Sequence, residues 1–319
     1  MSRRSLIATI LVTAVVTALV TVSTTRAVVG QGTRPARTAD GKPNLSGVWQ
    51  VNNEANWDLQ THGARAGAVT QHGVYPYAYA DVPAAPVLAL GAAAIVPGSL
   101  GVVQGDGQIP YTPAAAMKKA ENAANWIDRD PELKCYLPGI PRATYMPYPF
   151  QIVQSSAKIQ MIYTFSNAAR TIHLDQVAGP PDDTWMGHSV GRWEGDTLVV
   201  DVTHFNDKTW LDRAGNFHSD ALHVVERFTP MSPDALRYEV TIEDPNVFTK
   251  SWTIAMPIYR RLEPNIQLLD YPCIDFTEEF LYGHLRKQQL VKHWEGETMA
   301  VDITRKVPPG ERLFEWYGK

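Results

Sequence analysis

The chain has 319 residues, of which 45% are hydrophobic, 10% aromatic and 19% charged, with a formal net charge of −4 at neutral pH. This composition excludes intrinsic disorder, which needs low hydrophobicity and high net charge. The length is enough for one large β-rich domain with insertions, or for two smaller domains. No run of basic residues is present, so we expect no nucleic-acid partner.

The first 27 residues have the organisation of an export signal. Residues 2–4 contain two arginines and precede an apolar stretch, residues 6–22, while residues 25–27 match the small-x-small pattern of a cleavage site. Threonines at every fourth position dilute the stretch, which favours a removable signal peptide over the alternative, an uncleaved membrane anchor. We predict a periplasmic or secreted protein, without stable membrane insertion after cleavage near Ala27. Because residues 2–4 also resemble the start of a twin-arginine signal, both Sec and Tat export stay open.

A polar linker, residues 28–43, separates the signal from a single predicted domain, residues 44–319. The domain opens with Gly47-Val48-Trp49, which resembles the Gly-x-Trp signature in the first strand of lipocalin-like (calycin) barrels. In that fold the tryptophan plugs one end of the barrel, so the resemblance implies a β-barrel. An ordinary strand with a buried tryptophan is the alternative.

Residues 57–149 are predicted to form an irregular insertion before the main run of strands. Their first part, residues 57–108, is rich in small apolar residues and has very few charges. Within it, residues 87–103 are the most apolar, but Pro97, Gly98 and Gly101 interrupt them, which predicts a packed insertion or lid and no membrane span. Thr112 as N-cap and Pro113 at the first helical position predict one helix over residues 113–127. The prolines that follow predict an extended, irregular crossing.

From Phe150 onward apolar and polar residues alternate, as in antiparallel strands with one buried face. Tyr238, Val240 and Ile242, for example, fall on one face of a predicted strand. The predicted strands are 150–154, 159–165, 170–175, 188–193, 197–203, 221–228, 236–243 and 248–259. We predict an all-β, calycin-like antiparallel barrel with an N-terminal insertion and one short helix. A two-sheet sandwich has the same alternation and is the alternative.

One pattern occurs twice, as WEGDTLVVDVT at residues 193–203 and as WEGETMAVDIT at residues 294–304. Each copy predicts a strand, a tight glycine turn and a second strand, and the two copies lie too far apart for a solenoid. We interpret them as equivalent hairpins of one barrel that share turn chemistry without sharing a function.

A longer pattern carries a second resemblance. It consists of TWMGHSVGRWEGDTLVVD at residues 184–201, FNDKTWLD at residues 205–212 and HSDALHVVERF at residues 218–228. The pattern is similar to that of a large family of exported bacterial proteins, and the similarity covers roughly residues 44–254. It implies export and a β-barrel fold, and it brings no activity that can be carried over.

Cys135 and Cys273 are the only cysteines of the chain. In an exported protein they can form one disulfide. The loop that it would close implies a stabilisation of roughly 5 kcal/mol from loop-closure entropy. Two buried free thiols are the alternative, and the sequence leaves this choice open. Neither cysteine has a histidine-pairing signature around it, so we predict no nucleophilic thiol.

Ionisable residues are dense between residues 188 and 227, and residues 206–216 have the composition of a loop. Loops at a barrel mouth commonly carry binding sites. The predicted site residues are His188, Asp212, Glu226, His218 and Lys208. We assign acid/base chemistry to the first, its orientation to one of the two acids, and substrate polarisation to the last two. A structural hydrogen bond is the alternative role for each histidine.

Other chemistries lack their patterns. His173 and Asp175 share a strand face but supply only two ligands, so no metal is predicted. Residues 187–191 imitate a hydrolase nucleophile motif inside an apparent hairpin, where a strand, a turn and a helix are needed. No nucleotide-binding glycine motif occurs, so no cofactor is predicted. The acidic residues in the turns of the two repeats are interpreted as solvated turn residues and not as the paired carboxylates of a glycosidase; they are Glu194, Asp196, Glu295 and Glu297.

Two functions from different classes fit these features. One is a cofactor-free lyase, hydratase or isomerase that acts on a small apolar molecule. The other is a carrier that binds a small hydrophobic molecule without catalysis. The many ionisable groups slightly favour the enzyme, because burying a charge without use is costly, whereas the lack of catalytic spacing favours the carrier. The aromatic residues expected to line the pocket are Trp185, Trp193, Trp210 and Tyr145.

Overall fold

A closed barrel of nine strands is the centre of the computed structural model, which describes residues 35–64, 67–71, 78–82, 98–175, 177–270 and 273. The strands are β1 (Gly47–Gln50), β2 (Gly67–Gln71), β3 (Ala78–Val82), β4 (Phe150–Gln154), β5 (Lys158–Tyr163), β6 (Ala169–His173), β7 (His188–Glu194), β8 (Thr197–Thr203), β9 (His223–Ser232), β10 (Ala235–Glu243) and β11 (Trp252–Arg260). The barrel order is β1-β11-β10-β9-β8-β7-β6-β5-β4, and β4 pairs back with β1; β2 and β3 form a separate sheet. The predicted all-β barrel is confirmed, and the sandwich is wrong.

The odd number of barrel strands requires one parallel join. In a closed sheet of purely antiparallel neighbours the strand directions alternate, which is possible only for an even number. Here β6 and β7 are parallel, with Ile172 opposite Ser189 and His173 opposite Val190. Residues 174–187 form the crossover that a parallel pair needs. The antiparallel prediction therefore holds for every neighbouring pair of the barrel but this one.

The predicted alternation sets the inner face of the barrel. Tyr238, Val240 and Ile242 of β10 are fully buried, and the outer positions between them contact solvent. Hydrophobic burial on one face of each strand supplies the main driving force for closing the sheet. The predicted strands 150–154 and 197–203 match β4 and β8 residue for residue. The last predicted strand begins later than expected, because the residues before Trp252 form a turn.

The described part of the insertion contains three α-helices, α1 (Pro113–Ala124), α2 (Trp126–Arg129) and α3 (Arg142–Tyr145), and one 3-10 helix, Pro131–Lys134. The predicted start of the first helix is confirmed, because Thr112 Oγ1 accepts from the backbone N–H of Ala115 at 3.3 Å. Its predicted extent is too long. Asn125 leaves the helical conformation, with φ −129°, and divides the segment into α1 and α2.

The Gly-x-Trp segment has a clear packing reason. Trp49 is fully buried, its Nε1 donates to the carbonyl oxygen of Leu45 at 2.8 Å, and the guanidinium of Arg260 lies 4.1 Å from the centre of its ring. Arg260 also donates to the carbonyl oxygen of Ser46 at 2.6 Å. Gly47 has φ +146°, and a Cβ at this position would overlap the guanidinium of Arg260. A side chain at residue 47 would therefore displace the arginine from the tryptophan ring.

Strand directions place the long connections at one end of the barrel. Residues 51–149, 204–222 and 244–251 all leave or enter strands at that end, whereas the other end has short turns. All four residues of α3 are buried there. Thr144 Oγ1 lies 3.3 Å from Tyr163 Oη at the end of β5, which joins α3 to the barrel. The insertion thus packs against this end of the barrel.

Cys135 and Cys273 form a disulfide, which resolves the choice that the sequence left open. The bond connects the chain beyond β11 to the insertion, across 138 residues. Within the described part of the chain, no helix has the length and hydrophobicity to cross a membrane. The predicted signal peptide, residues 28–34 of the predicted linker and the second repeat copy lie outside the described residues.

Candidate functional site

Glu226 lies inside the barrel, where it pairs with Arg170. Nη1 and Nη2 of Arg170 donate to the carboxylate at 2.5 and 3.0 Å, and Tyr238 Oη donates to it at 2.6 Å. Burial is the largest single influence and by itself lowers the pKa of Arg170, but the charge and hydrogen bonds of Glu226, together with Tyr163 and Tyr238, hold this pKa above its ordinary value. Glu226 therefore compensates a buried cation. It is not placed to orient His188.

Arg170 corrects the expectation of an apolar barrel interior. Its Nη1 also lies 3.4 Å from Ser189 Oγ, its Nη2 lies 3.1 Å from Met161 Sδ, and its buried Nε has no hydrogen-bond partner in the described residues. Arg170 is not among the site residues predicted from the sequence. The signal was present, because alternation in β6 places Arg170 on the same inner face as Ile172.

His188 lies on the outer face of the barrel at the start of β7. Its ring stacks on His173 with a centroid distance of 5.5 Å and meets His204 edge-on at 5.9 Å. Its Nε2 donates to the carbonyl oxygen of Val177 at 3.3 Å. None of these three rings has a carboxylate within 4.0 Å in the described part of the chain. The predicted acid partner of His188 is therefore missing there.

Asp212 organises the loop 204–222. Its Oδ2 accepts from the backbone N–H of Leu59 at 2.8 Å and from Asn216 Nδ2 at 2.5 Å, and its Oδ1 accepts from the backbone N–H of Ala214 at 2.9 Å. Burial and the nearby Asp58 raise the pKa of Asp212 to about 7, against the hydrogen bonds from Asn216 and Leu59, which lower it. This carboxylate shapes the loop and fastens it to the insertion.

His218 is buried in the same loop. Its Nδ1 donates to the carbonyl oxygen of Ser219 at 2.8 Å, so in the neutral tautomer its Nε2 accepts from Thr209 Oγ1 at 2.6 Å. Burial lowers the pKa of His218, which favours this neutral form. Both ring nitrogens are therefore satisfied by the loop itself.

Lys208 is exposed. Only its backbone N–H makes a hydrogen bond, to Asn206 Oδ1 at 3.1 Å, and its ammonium has no ion pair within the described ranges. Nothing in its surroundings distinguishes it from an ordinary solvated lysine.

The structure does not assemble the five predicted residues into one site. No hydrogen bond, ion pair or ring contact among the described residues joins any two of them. His188 and Glu226 belong to the same ionisable-rich segment, residues 188–227, but their side chains point to opposite sides of the barrel wall, because side chains alternate along strands. The expected aromatic lining also separates, since Tyr145 is buried within the insertion, in α3, and Trp185 packs against Tyr136.

A group of buried charged residues, none of which was predicted as a site from the sequence, lies between the insertion and the loop 204–222. Arg142 donates to both oxygens of Asp130 at 2.8 and 2.9 Å, to Glu132 at 2.6 Å and to Asn56 at 2.9 Å. Arg213 donates to both oxygens of Glu132 at 2.7 Å. Burial alone raises the pKa of Glu132, but the two arginines outweigh it and lower this pKa to about 2. The group, called the insertion cluster below, ties the insertion to the loop 204–222.

An open cleft of about 440 Å³ lies between α1 and the loop 204–222. Two aromatic side chains, Trp210 and Phe217, line it. The charged groups around it include Lys118 and Asp207, and an ion pair between Arg129 and Glu121 at 2.6 Å. Of the five predicted residues, only His218 lines this cleft.

No protein-family model, curated protein or solved structure matches the chain. Among the described residues, no three histidine, cysteine, aspartate or glutamate side chains are placed to hold a metal ion. The geometry of the cleft and of the groups around it is therefore the basis for assigning a function.

Proposed function

We propose that this protein is an exported binding protein that holds a small molecule in the cleft between α1 and the loop 204–222. One observation carries the proposal. Each predicted acid/base group is either engaged by its own partner or solvated alone, whereas the cleft presents rings and charges side by side. A binding site needs such a surface and requires no catalytic pair.

The lining of the cleft indicates the class of ligand. Phe217 and the small exposed part of Trp210 supply a limited apolar surface for a ring within a mostly polar lining, and a volume of about 440 Å³ lies in the usual range for small-molecule sites. Lys118 and Asp207 form no ion pair in the described residues, so their charges are available to a ligand. A small molecule with one ring and an ionised group fits better than the purely apolar ligand expected from sequence.

An acid/base enzyme is the second candidate, favoured by His218. This histidine lines the cleft, and the bond from its Nδ1 to Ser219 leaves Nε2 as the basic nitrogen. Thr209 occupies that nitrogen, so catalysis would require the hydroxyl to move away. A binding role requires no such rearrangement.

Two observations support export. The sequence begins with a signal-like segment, and Cys135 is bonded to Cys273. Disulfides persist in oxidising compartments such as the periplasm or the extracellular space. Mass spectrometry of the protein recovered outside the cytoplasm should find an N-terminus near residue 28, and an intact Met1 in a membrane fraction would contradict export.

Binding is tested with three single-ring probes of similar shape, the anion benzoate, the cation benzylamine and the neutral benzyl alcohol, by titration calorimetry on the mature protein. We expect binding of benzoate, weakened roughly tenfold by Lys118→Ala because one charge-assisted contact is lost. Lys208→Ala, a nearby exposed lysine outside the cleft, is the matched control and should leave the affinity unchanged. Failure of all three probes to bind, or equal losses in both variants, would contradict the proposal. A product of new mass after incubation would favour the enzyme.

A further inference from the structure

The parallel seam between β6 and β7 is covered by its own crossover. The two strands share two paired positions, and residues 174–187 run outside the barrel from one strand to the other. A parallel pair depends on such a connection more than a hairpin does, because a tight turn cannot join it. Whatever holds residues 174–187 against the sheet therefore helps to hold this seam.

Two histidines hold the crossover from below. His188 Nε2 donates to the carbonyl oxygen of Val177, and the ring of His204 packs against Gly179, where a Cβ would lie 2.5 Å from the ring. The backbone of His204 also accepts from the N–H of Thr184 at 2.8 Å. With His173 stacked on His188, three imidazoles form a continuous row on the outer face, called the imidazole row below.

The imidazole row has no acid to balance a positive charge. The charged residues outside the barrel on the elements that pack against it are Lys158, Asp175, Asp182, Asp183, Arg192, Glu194 and Asp201. None of these carboxylates reaches within 4.0 Å of the three rings in the described chain. Asp201 is engaged elsewhere, since it lies 3.1 Å from Nε2 of His223, whose Nδ1 faces Glu243 at 3.4 Å.

We propose that the imidazole row is a pH-sensitive latch that releases the crossover when the surroundings become mildly acidic. Histidine takes up a proton in this range. A single proton on the row is tolerated, because a cation stacks favourably on a neutral ring and the bond from His188 to Val177 persists. A second proton places two cations on adjacent rings with no carboxylate between them, which forces the rings apart and frees the residues packed on them.

Release of the crossover extends to the start of the loop 204–222. Thr184 and Phe205 form a parallel bridge, in which the N–H of Asn206 donates to the carbonyl oxygen of Thr184 at 3.0 Å. Loss of this bridge frees the chain just before Asp207, which lines the cleft. Any effect on ligand affinity would rest on the proposed function, whereas the latch itself does not.

Hydrogen exchange tests the latch in the full mature protein. Protection factors, corrected for the intrinsic pH dependence of exchange, are compared at about pH 7.5 and about pH 5.5 for peptides covering residues 177–187 and 204–208. We expect protection of both peptides to fall about tenfold at the lower pH, because release of the crossover opens their backbone hydrogen bonds to solvent. A peptide from β10 should keep its protection, which excludes global unfolding.

Two variants separate the row from other histidines. His188→Gln keeps a donor for Val177 but removes the central cation, so its pH response should drop below about threefold. His223→Gln, whose imidazole lies between two carboxylates on the same outer surface, should respond like the parent. A parent protein without the acid response, or a full response in His188→Gln, would overturn the latch. Loss of the response in both variants would also overturn it.

Discussion

Arg170 and Arg142 are both buried and both paired with acids, but they lie in different kinds of structure. Arg170 and Glu226 connect β6 with β9 inside the barrel, where backbone ladders already fix the positions of both strands. Arg142 lies in the four-residue helix α3 and binds Asp130 and Glu132, which are the N-cap and the second residue of the single 3-10 turn Pro131–Lys134. No ladder is available at those positions.

The two groups of buried charges therefore have different structural roles. The pair in the barrel is held by strands that are already in place, whereas the pairs of Arg142 fix the positions of the segments that they join. In the barrel, the strands would keep their order without the pair, and the pair must overcome the cost of removing two charges from water. In the insertion, the guanidinium of Arg142 makes four hydrogen bonds to three residues and so defines their relative positions. We infer that the insertion cluster has the larger structural role, and the following changes test this.

Arg142→Met should have the largest effect. It leaves Asp130 and Glu132 buried with one cation fewer, and removing one partner of a buried ion pair costs about 3–5 kcal/mol. The free energy of unfolding, measured by urea titration, gives the size of the loss. Arg129→Met breaks an exposed pair of the same types and should cost less than about 1 kcal/mol. Equal losses in both variants would remove the distinction between buried and exposed pairs.

A double substitution should distinguish the two clusters most sharply. Glu226→Gln alone strands the buried Arg170 and should cost about 3 kcal/mol, whereas adding Arg170→Met should recover most of this, because the ladders hold the strands. The corresponding pair of changes in the insertion, Arg142→Met with Asp130→Asn, should recover little. Unfolding free energies in a double-mutant cycle measure both cases, and equal recovery in the two places would refute the comparison.

A third effect concerns Asp212 and appears only when pH is changed. Its pKa is raised in the folded protein to about 7 from 3.8, so the folded state binds more protons between these values and its stability falls as pH rises through this window. Asp212→Asn cannot titrate. The stability difference between the parent and this variant should therefore shrink by roughly 3 kcal/mol from about pH 4 to about pH 7. A difference that stays constant across this range would show that Asp212 does not titrate there.

The strands of the barrel were predictable because the alternation of apolar and polar residues that indicates a strand lies within a few neighbouring residues. Alternation fixed β4 and β8 to the residue, and Thr112 followed by Pro113 marked the start of α1. The end of that helix was not predictable from the same signals, because Asn125 is compatible with both a helix interior and a break. The closed form of the sheet also required the structure, since alternation is the same in a sandwich.

The candidate site was less predictable, for two physical reasons. Density of ionisable residues along the chain ignores the side to which each one points, and alternation already placed Glu226 on the inner face with Val224 and Phe228. A charged residue on such an inner face is better interpreted as one partner of a buried ion pair than as a catalytic residue. The partners of Arg142, in contrast, lie in segments without periodicity, so no sequence pattern indicated the insertion cluster.

The short strand β1 has a consequence for the order of folding. It closes the barrel by pairing with β4 on one side and with β11 on the other, and its contact with β11 spans roughly 200 residues of chain. During synthesis β1 can pair with β4 long before β11 exists, so the growing sheet keeps an open edge until almost all the described chain has been made. Such long-range closure slows folding and leaves that edge available for wrong pairing. Substitutions in β11 should therefore affect the yield of folded protein more than equally buried substitutions in β4 and β5, whose hairpin forms from adjacent residues.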